Sequence, residues 1–300
     1  MVREIVLLGT ASQVPTRDRS HHAAFLRWDD EGILLDPGEG AQRQMLLAGL
    51  PASAITCICI THLHGDHSLG LPGVVQRLSL DGVRHPVPVH FPASGEPFYD
   101  RLRHATSFFD VADVHAAPVH ETGVVATGAF GRLEAVRLDH AIETFGYRLV
   151  EPDGRRMRPD LLAAAGIGGP RVRELQLAGE LDGVGIEEVS EHRAGQRFAF
   201  VMDTRPCDGA RELAQDADLL VAEATYLHDD VHLAEAHGHL TARQAATLAA
   251  EAGVRTLVLT HFSQRYPDLT PFRAEAASVF AGHVVVANDL DRVPVPRRSE

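Results

Sequence analysis

Hydrophobic and polar positions alternate along the chain in short runs that predict β-strands, and longer runs between several of them have the period of amphipathic helices. The strand-like runs cover residues 4–8, 23–27, 32–35, 55–60, 87–91, 198–202, 219–222, 256–260 and 284–287. The clearest predicted helices cover residues 40–47, 69–80 and 241–252. The last begins at Thr241, a residue type that caps helix N-termini, and stops before Gly253. Strands that alternate with helices favour an α/β fold.

A Gly- and Pro-rich stretch from about 151 to 195 interrupts this pattern, with too many chain breakers for a core element. Between Arg155 and Arg173, five arginines stand against the single acid Asp160, a local charge of +4. An acidic patch follows, formed by Glu180, Asp182, Glu187, Glu188 and Glu191. Two interpretations remain open: an ordinary surface excursion, or a protruding arm that binds an anionic partner.

The composition is that of a globular protein, with 45% hydrophobic and 23% charged residues in a chain of 300. One or two domains are compatible with this length. The short apolar run near Met1 predicts neither a signal peptide nor a membrane span, so we expect a cytoplasmic protein. The net charge of −13 argues against broad non-specific nucleic-acid binding, although it permits a local basic patch. Cys57 and Cys59 are predicted to be small buried hydrophobes.

Three histidines and an aspartate follow the strand-like run 55–60 within six positions. His62 and His64 are two residues apart, so an extended chain would point both rings to the same side. A turn at Gly65 then directs Asp66 and His67 towards a neighbouring position, at the distance of about 3.5–4 Å typical of two-metal sites. Imidazole and carboxylate groups without cysteine suit zinc, and they accommodate manganese or iron.

One segment cannot complete two coordination spheres, so further ligands have to come from other strand ends. His140 follows an alternating run that ends at Leu138, Asp203 ends the strand-like run 198–202, and His261 ends the run 256–260. Each of these would more often be structural if it occurred alone. Together with the first cluster, they predict a two-metal site.

This order of ligands resembles that of the metallo-β-lactamase superfamily from His62 to His261. The resemblance implies an α/β fold, namely a four-layer αββα sandwich with an inserted arm, and two Zn²⁺ ions per subunit, with Mn²⁺ or Fe²⁺ as alternatives. It also implies the ligand roles: His62, His64 and His140 for the first zinc, Asp66, His67 and His261 for the second, and Asp203 as the bridge. Asp36 matches an aspartate that supports the histidine cluster.

Shorter motifs resemble the ribonuclease Z family within this superfamily, over nearly the whole chain. They lie at 8–12, 36–42, 71–73, 167–175, 223–225, 238–246 and 261–266. The resemblance implies a zinc-dependent endoribonuclease that removes the 3′ trailer from precursor tRNA, leaving a 3′-hydroxyl on the tRNA and a 5′-phosphate on the trailer. Asp66, His239 and Glu223 would be the catalytic residues. The arm at about 151–195 would clamp the tRNA body within a homodimer.

Other functions remain open, because one fold hosts many reactions. A small-molecule phosphodiesterase or another ester hydrolase could use the same two-metal site, and the acidic net charge favours this alternative. A lactonase or thioesterase would leave His239 and Glu223 without a role. A non-catalytic RNA-binding protein would not need the complete set of ligands.

Overall fold

The computed structural model describes residues 2–298. The strands are β1 Arg3–Gly9, β2 Ala23–Trp28, β3 Glu31–Leu35, β4 Cys57–Cys59, β5 Val87–Pro92, β6 Val114–Val119, β7 Gly123–Gly128, β8 Gly131–Arg137, β9 Phe145–Val150, β10 Gly154–Met157, β11 Glu180–Leu181, β12 Val184–Gly185, β13 Ser190–Arg193, β14 Arg197–Val201, β15 Leu219–Glu223, β16 Thr256–Thr260, β17 His283–Val286 and β18 Arg292–Pro294. The α-helices are α1 Ala41–Leu47, α2 Gly65–Ser68, α3 Leu71–Leu80, α4 Glu96–Arg103, α5 Pro159–Ala164, α6 Pro170–Ala178, α7 Asp208–Ala214, α8 Val231–His237, α9 Ala242–Glu251 and α10 Thr270–Ala277.

Two seven-stranded sheets form the centre of the main unit, which comprises residues 2–150 and 197–298 of the described range. The first has the order β18-β1-β2-β3-β4-β5-β6, and the second has the order β17-β16-β15-β14-β9-β8-β7. Their inner faces share one apolar core, in which Leu26 of the first sheet packs with Tyr147 and Phe200 of the second. The hydroxyl of Tyr147 donates a hydrogen bond of 2.9 Å to the carbonyl of Ile60, so the single polar atom of this ring is also satisfied.

Helices cover the outer face of each sheet. Met45 of α1, Val74 of α3 and Tyr99 of α4 belong to the core on the first sheet. The corresponding core on the second sheet contains Leu213 of α7, Ala246 of α9 and Phe272 of α10. Burying each large apolar side chain stabilises the fold by about 1.5–3 kcal/mol. The layers therefore follow the order αββα, which confirms the predicted fold class.

The predicted strands are all present, although several bounds shift by one or two residues. The strand expected at 55–60 is shorter and ends at Cys59, and the helix expected at 69–80 begins at Leu71. The helix predicted at Thr241 is confirmed, because the Thr241 hydroxyl accepts from the N–H of Gln244 at 3.2 Å. Strands β6, β7 and β9 were not predicted, and β8 was anticipated only as the alternating run that ends at Leu138.

Residues Glu151–Gln196 form a second compact unit, which we call the arm. It contains β10 to β13, α5 and α6 around a small core of Leu162, Ile167, Leu175 and Val189. None of its residues belongs to the cores on the two large sheets, but the segment forms short helices and strands of its own. Both arm helices begin at a proline, and Gly179, with φ of 79°, ends α6. These residues mark the ends of short elements rather than a structureless loop.

Two further expectations concern the environment of the cysteines and the presence of a membrane span. Cys57 and Cys59 are buried in β4 with their sulfur atoms 3.8 Å apart, as predicted for small buried hydrophobes, and Cys207 is half-buried. All three thiols are free. In the described range 2–298, every helix is too short or too polar to cross a membrane.

Candidate metal centre

The second sheet presents three of the predicted residues side by side. Strands β14, β15 and β16 run parallel, so their carboxyl ends meet at one edge. Asp203 follows β14, Glu223 ends β15, and His261 follows β16. Asp203 has a φ of 41° and His261 a φ of 63°, so the chain leaves each strand through the left-handed region and turns these side chains to the centre.

The first sheet contributes the histidine cluster through a loop rather than a strand. Because β4 ends at Cys59, His62 and His64 lie beyond the strand that was expected to deliver them. Their rings converge nevertheless, with His62 Nε2 2.8 Å from His64 Nδ1. The short helix α2 then presents Asp66 and His67.

Asp36 holds this loop in place through hydrogen bonds. Its carboxylate is fully buried and accepts hydrogen bonds from the Thr61 N–H at 2.6 Å and the Thr61 hydroxyl at 2.8 Å. It also accepts from His67 Nδ1 at 2.9 Å. A carboxylate that accepts from both the loop backbone and one ring sets the position of the loop and the orientation of that ring.

The first group of candidate ligands is His62, His64, His140 and Asp203, whose donor atoms all lie within 4.8 Å of one another. His140 donates from Nδ1 to the Gly238 carbonyl at 2.9 Å, which directs the lone pair of Nε2 to the centre. Among the described residues, this buried Nε2 has no hydrogen-bond partner. The Asp203 carboxylate lies 3.5 Å from His62 Nε2 and 3.8 Å from His140 Nε2.

The second group is Asp66, His67 and His261, also within 4.8 Å of one another. His261 donates from Nδ1 to the Thr225 oxygen at 2.9 Å, and His67 donates from Nδ1 to Asp36, so in the neutral form of each ring Nε2 would carry the lone pair. These two Nε2 atoms face each other at 3.1 Å. Asp203 Oδ1 lies 3.3 Å from His261 Nε2, so this carboxylate borders both groups.

The donor chemistry of both groups fits two divalent ions. Facing nitrogen lone pairs repel unless a proton or a cation lies between them, and an unpartnered buried nitrogen is costly. Nitrogen and carboxylate oxygen donors without sulfur are typical of zinc, with manganese and iron as alternatives. The structure therefore brings together all seven predicted ligands: His62, His64, Asp66, His67, His140, Asp203 and His261.

Burial and neighbouring charge define the electrostatics of the centre. Burial and the neighbouring His67 lower the pKa of His62, which keeps its ring neutral. Burial also lowers the pKa of His67, but Asp203, Asp66 and Asp36 outweigh it and raise the pKa well above its usual value. Burial raises the pKa of Asp203, but His261 and His67 outweigh it and hold the pKa well below its usual range. The carboxylates are therefore ionised, and their negative charge attracts cations.

His239 and Glu223 form a pair beside the two groups. Glu223 is fully buried and accepts hydrogen bonds from the Thr204 N–H at 2.8 Å and the Thr225 hydroxyl at 2.5 Å. His239 Nδ1 lies 3.1 Å from the same carboxylate. Burial lowers the pKa of His239, but Glu223 and Asp203 outweigh it and raise the pKa to about 9. Because its oxygens already accept three hydrogen bonds, Glu223 is better suited to holding His239 than to binding a metal.

A cavity of about 320 Å³ opens onto the centre and contains His239, His140 and Asp66 in its wall. The wall also contains Gln13, Val14 and Tyr226, which the sequence did not single out, and Ser12, Ser263 and Gln264, which lie within the motifs at 8–12 and 261–266. The bridge between Ala11 and Phe262 brings the loops of Ser12 and Ser263 together, and Tyr226 is bridged to Thr241. The motifs at 8–12 and 261–266 signalled two of these loops, but bridges between distant segments leave no local pattern, so the sequence did not show that they meet.

Comparison with known protein families gives matches along most of the chain. The profile described as the metallo-beta-lactamase superfamily matches residues 16–194, and the profile described as the beta-lactamase superfamily domain matches residues 169–262. The chain is 59% identical over 298 residues to the ribonuclease Z of Streptomyces avermitilis, covering 99% of each chain. It is 60% identical over 301 residues to that of Nocardia farcinica, again with 99% of each chain covered.

Solved structures give the same picture. The short form of human tRNase Z is 27% identical, with a TM-score of 0.70 over 98% of this chain and 99% of that one. The metallo-beta-lactamase fold protein YhfI of Bacillus subtilis has a TM-score of 0.72 over 97% and 98% of the two chains. At 16% identity, this second likeness concerns the fold alone.

Proposed function

The chain belongs to the ribonuclease Z family of the metallo-β-lactamase superfamily, and we propose that it removes the 3′ trailer from precursor tRNA at a two-zinc centre. It is a metal-dependent phosphodiester hydrolase of tRNA 3′ processing. The observation that carries the two-zinc proposal is the position of Asp203. Its carboxylate borders both groups of histidines, with oxygens 3.3 Å from His261 and 3.5 Å from His62.

His62, His64 and His140 would hold one zinc ion, Asp66, His67 and His261 the other, and Asp203 would bridge them. When bound, two zinc ions lower the pKa of a water molecule towards neutrality and offset negative charge on phosphoryl oxygens. Asp66, which lines the cavity, would accept or orient the proton of the attacking water.

His239 supplies the second catalytic function in this proposal. With a pKa of about 9, its ring is charged at neutral pH. Glu223 accepts from Nδ1, so Nε2 is the atom that donates to the phosphoryl group or to the leaving 3′ oxygen. The products are a tRNA with a 3′-hydroxyl and a trailer with a 5′-phosphate.

We further propose a homodimer, as the resemblance implies. Helices α1 and α3 pack against each other and expose Leu46, Leu47 and Leu80 by 69%, 51% and 79%, and exposed apolar surface is typical of subunit contacts. Light scattering of the L46E/L80E variant should then report a monomer where the wild type is a dimer. The three free thiols also suit the cytoplasm, the compartment that the sequence predicts.

The test of the proposed function uses two substrates. Zinc-loaded protein, with and without a chelator, is incubated with end-labelled precursor tRNA carrying a 3′ trailer, and separately with bis-p-nitrophenyl phosphate. Chelator-sensitive cleavage after the discriminator nucleotide or the CCA end supports the proposal. Cleavage of the small diester alone would leave the small-molecule phosphodiesterase in its place.

A shortened protein tests the role of the arm. Val150 and Arg197 are paired on antiparallel strands, so an Asn-Gly turn can replace residues 151–196 and leave a two-residue hairpin. We expect this variant to lose cleavage of precursor tRNA and to keep cleavage of the small diester. Equal loss of both activities would contradict a role of the arm in tRNA binding.

A further inference from the structure

The arm carries little free positive charge. Its six arginines stand against nine carboxylates, so residues 151–196 have a net charge of −3 with His192 neutral. The local excess of +4 between Arg155 and Arg173 is therefore cancelled within the same unit. On average this surface repels a polyanion, so any binding of RNA has to depend on individual arginines.

Ion pairs inside the arm occupy most of these arginines, and Arg156 also has a contact of its own. The ion pairs are Arg158 with Asp160 and Glu191, Arg155 with Glu187, and Arg193 with Glu151, and Arg155 also donates a hydrogen bond to the Ser190 hydroxyl. Asp160 and then Glu191 raise the pKa of Arg158 above its usual range. A guanidinium in such a pair has to leave its carboxylate before it binds a phosphate, which reduces its net contribution to binding.

Arg171 is paired at the turn of a short hairpin. Its guanidinium contacts Asp182, which forms with Gly183 the two-residue turn between β11 and β12. The φ angles of 53° at Asp182 and 81° at Gly183 are those of a type I′ turn. Glu174, one helical turn after Arg171, adds a second negative charge on the same face of α6.

Arg173 differs from the other arm arginines. Its side chain is exposed, and its guanidinium makes no hydrogen bond or ion pair with any residue from 2 to 298. The positions one turn before and after it on α6 are Gly169, Pro170, Gln176 and Leu177, none of which is charged. No acid therefore shares its face of the helix. Leu177, on that face, is 80% exposed.

We propose that Arg173 is the available phosphate contact of the arm for RNA, and that Asp182 holds Arg171 back from a second such contact. The inference rests on the proposed function, because it identifies which arm residues bind the tRNA backbone. Each phosphate contact contributes about −0.7 to −0.9 to the slope of log affinity against log salt. The arm should therefore contribute a slope of about −1, where five free arginines would contribute about −4.

The experiment measures kcat/KM of zinc-loaded protein for precursor tRNA at several salt concentrations, with bis-p-nitrophenyl phosphate as the reference substrate. R173Q should lower kcat/KM for precursor tRNA about five- to tenfold at low salt and make the salt slope shallower by about 1. D182N should raise kcat/KM about two- to fivefold and make the slope steeper by about 1. Asparagine tolerates positive φ, so the turn is kept. The small diester should be cleaved equally by all variants.

Two control variants separate the release of Arg171 from a general change of charge. E180Q removes the same negative charge two residues away, and Glu180 has no arginine partner among residues 2–298. R171Q/D182N keeps the net charge of the wild type but lacks the released arginine. Both controls should raise kcat/KM for precursor tRNA less than D182N does. A wild-type thermal unfolding curve for each variant shows that the arm is intact.

The outcomes distinguish this inference from the proposed function. If the wild type cleaves precursor tRNA and R173Q does so with the same rate and salt slope, Arg173 is not the contact. If E180Q raises kcat/KM for precursor tRNA as much as D182N does, the effect comes from net charge, and the assigned role of Asp182 is wrong. If the wild type cleaves only the small diester, the proposed function fails, and this inference fails with it.

Discussion

His239 Nδ1 lies 3.1 Å from Oε2 of Glu223, a carboxylate that has no exposed surface. Two further hydrogen bonds, from Thr204 and Thr225, hold that carboxylate in place. The imidazole ring is therefore fixed in orientation and kept charged by a partner that water does not screen. In the proposed mechanism, the pair acts on the substrate and does not bind metal.

Substitution of this pair should affect the rate of catalysis and not the metal content. We expect H239A to lower kcat for precursor tRNA about 100- to 1000-fold, because a charged donor beside the phosphoryl group is lost. E223Q keeps a side chain of the same shape and should lower kcat less. Single-turnover cleavage and zinc analysis by mass spectrometry measure both effects. A loss of zinc in H239A would instead identify His239 as a ligand.

Removal of the bridging carboxylate should lower the metal content as well as the rate of catalysis. D203A is expected to lose zinc from both positions and to lower kcat more than about 100-fold on either substrate, because Asp203 borders both groups of histidines. Asp139 provides a matched control, because its exposed carboxylate contacts only Arg205 among the described side chains. D139N should keep its zinc and its activity. An active D203A protein with full zinc content would contradict the bridging role.

Asp36 should contribute to stability as well as to metal binding. D36A leaves the Thr61 N–H, the Thr61 hydroxyl and His67 Nδ1 without their acceptor in a buried place, at a cost of about 3 kcal/mol or more. T61A removes only one donor and should cost about 1 kcal/mol. Urea unfolding of the chelator-treated proteins measures both. Equal costs for the two variants would argue against Asp36 as the common acceptor.

A pH-dependent contribution to stability is expected from Glu143, next to the loop that carries His140. Burial raises its pKa, but hydrogen bonds from the Ser94 N–H and from Arg137 outweigh it and lower the pKa. A lowered pKa in the folded state stabilises the fold above the unfolded pKa, and this contribution is lost as pH falls through the folded pKa.

The E143Q variant tests the direction of this pH dependence of stability. It should lower the free energy of unfolding at pH 7 by at most about 1 kcal/mol, because solvent screens the pair, and the difference should vanish towards pH 3. Urea unfolding of metal-free protein across this pH range gives the comparison. E121Q, which alters an exposed acid, should show no such difference. If the difference in the free energy of unfolding between the wild type and E143Q grows as pH falls, the direction of the pKa shift is wrong.

The sequence indicated which histidines and aspartates converge at the centre because their signals are local. Six positions contain His62, His64, Asp66 and His67, and the other ligands follow short apolar runs that are recognisable as strands. Parallel strands bring their carboxyl ends to one edge of a sheet, so a ligand at the end of each run implies a common site. The N-cap at Thr241 was predictable for the same reason, because its partner is three residues away.

The pairing of the arm arginines could not be predicted from local sequence signals. The excess of arginine between Arg155 and Arg173 indicated a basic surface, but the partners of these arginines lie up to 35 residues away in the chain. Pairing at such distances depends on how short strands fold back on each other, which hydrophobic periodicity does not reveal. The buried ring of His22, stacked on Phe200 behind the centre, also had no signal, because nothing in its neighbours marks the position as enclosed.

The left-handed backbone at Asp36, Asp203 and His261 links function to fragility. Side chains other than glycine adopt positive φ at a cost of about 1 kcal/mol or more each, so these positions store strain in the folded protein. Glycine would relieve it at each position and would remove a ligand or its support. Selection for heat resistance and selection for catalysis therefore act in opposite directions on the same three residues. Thermostable variants of this enzyme should accumulate their changes elsewhere in the chain.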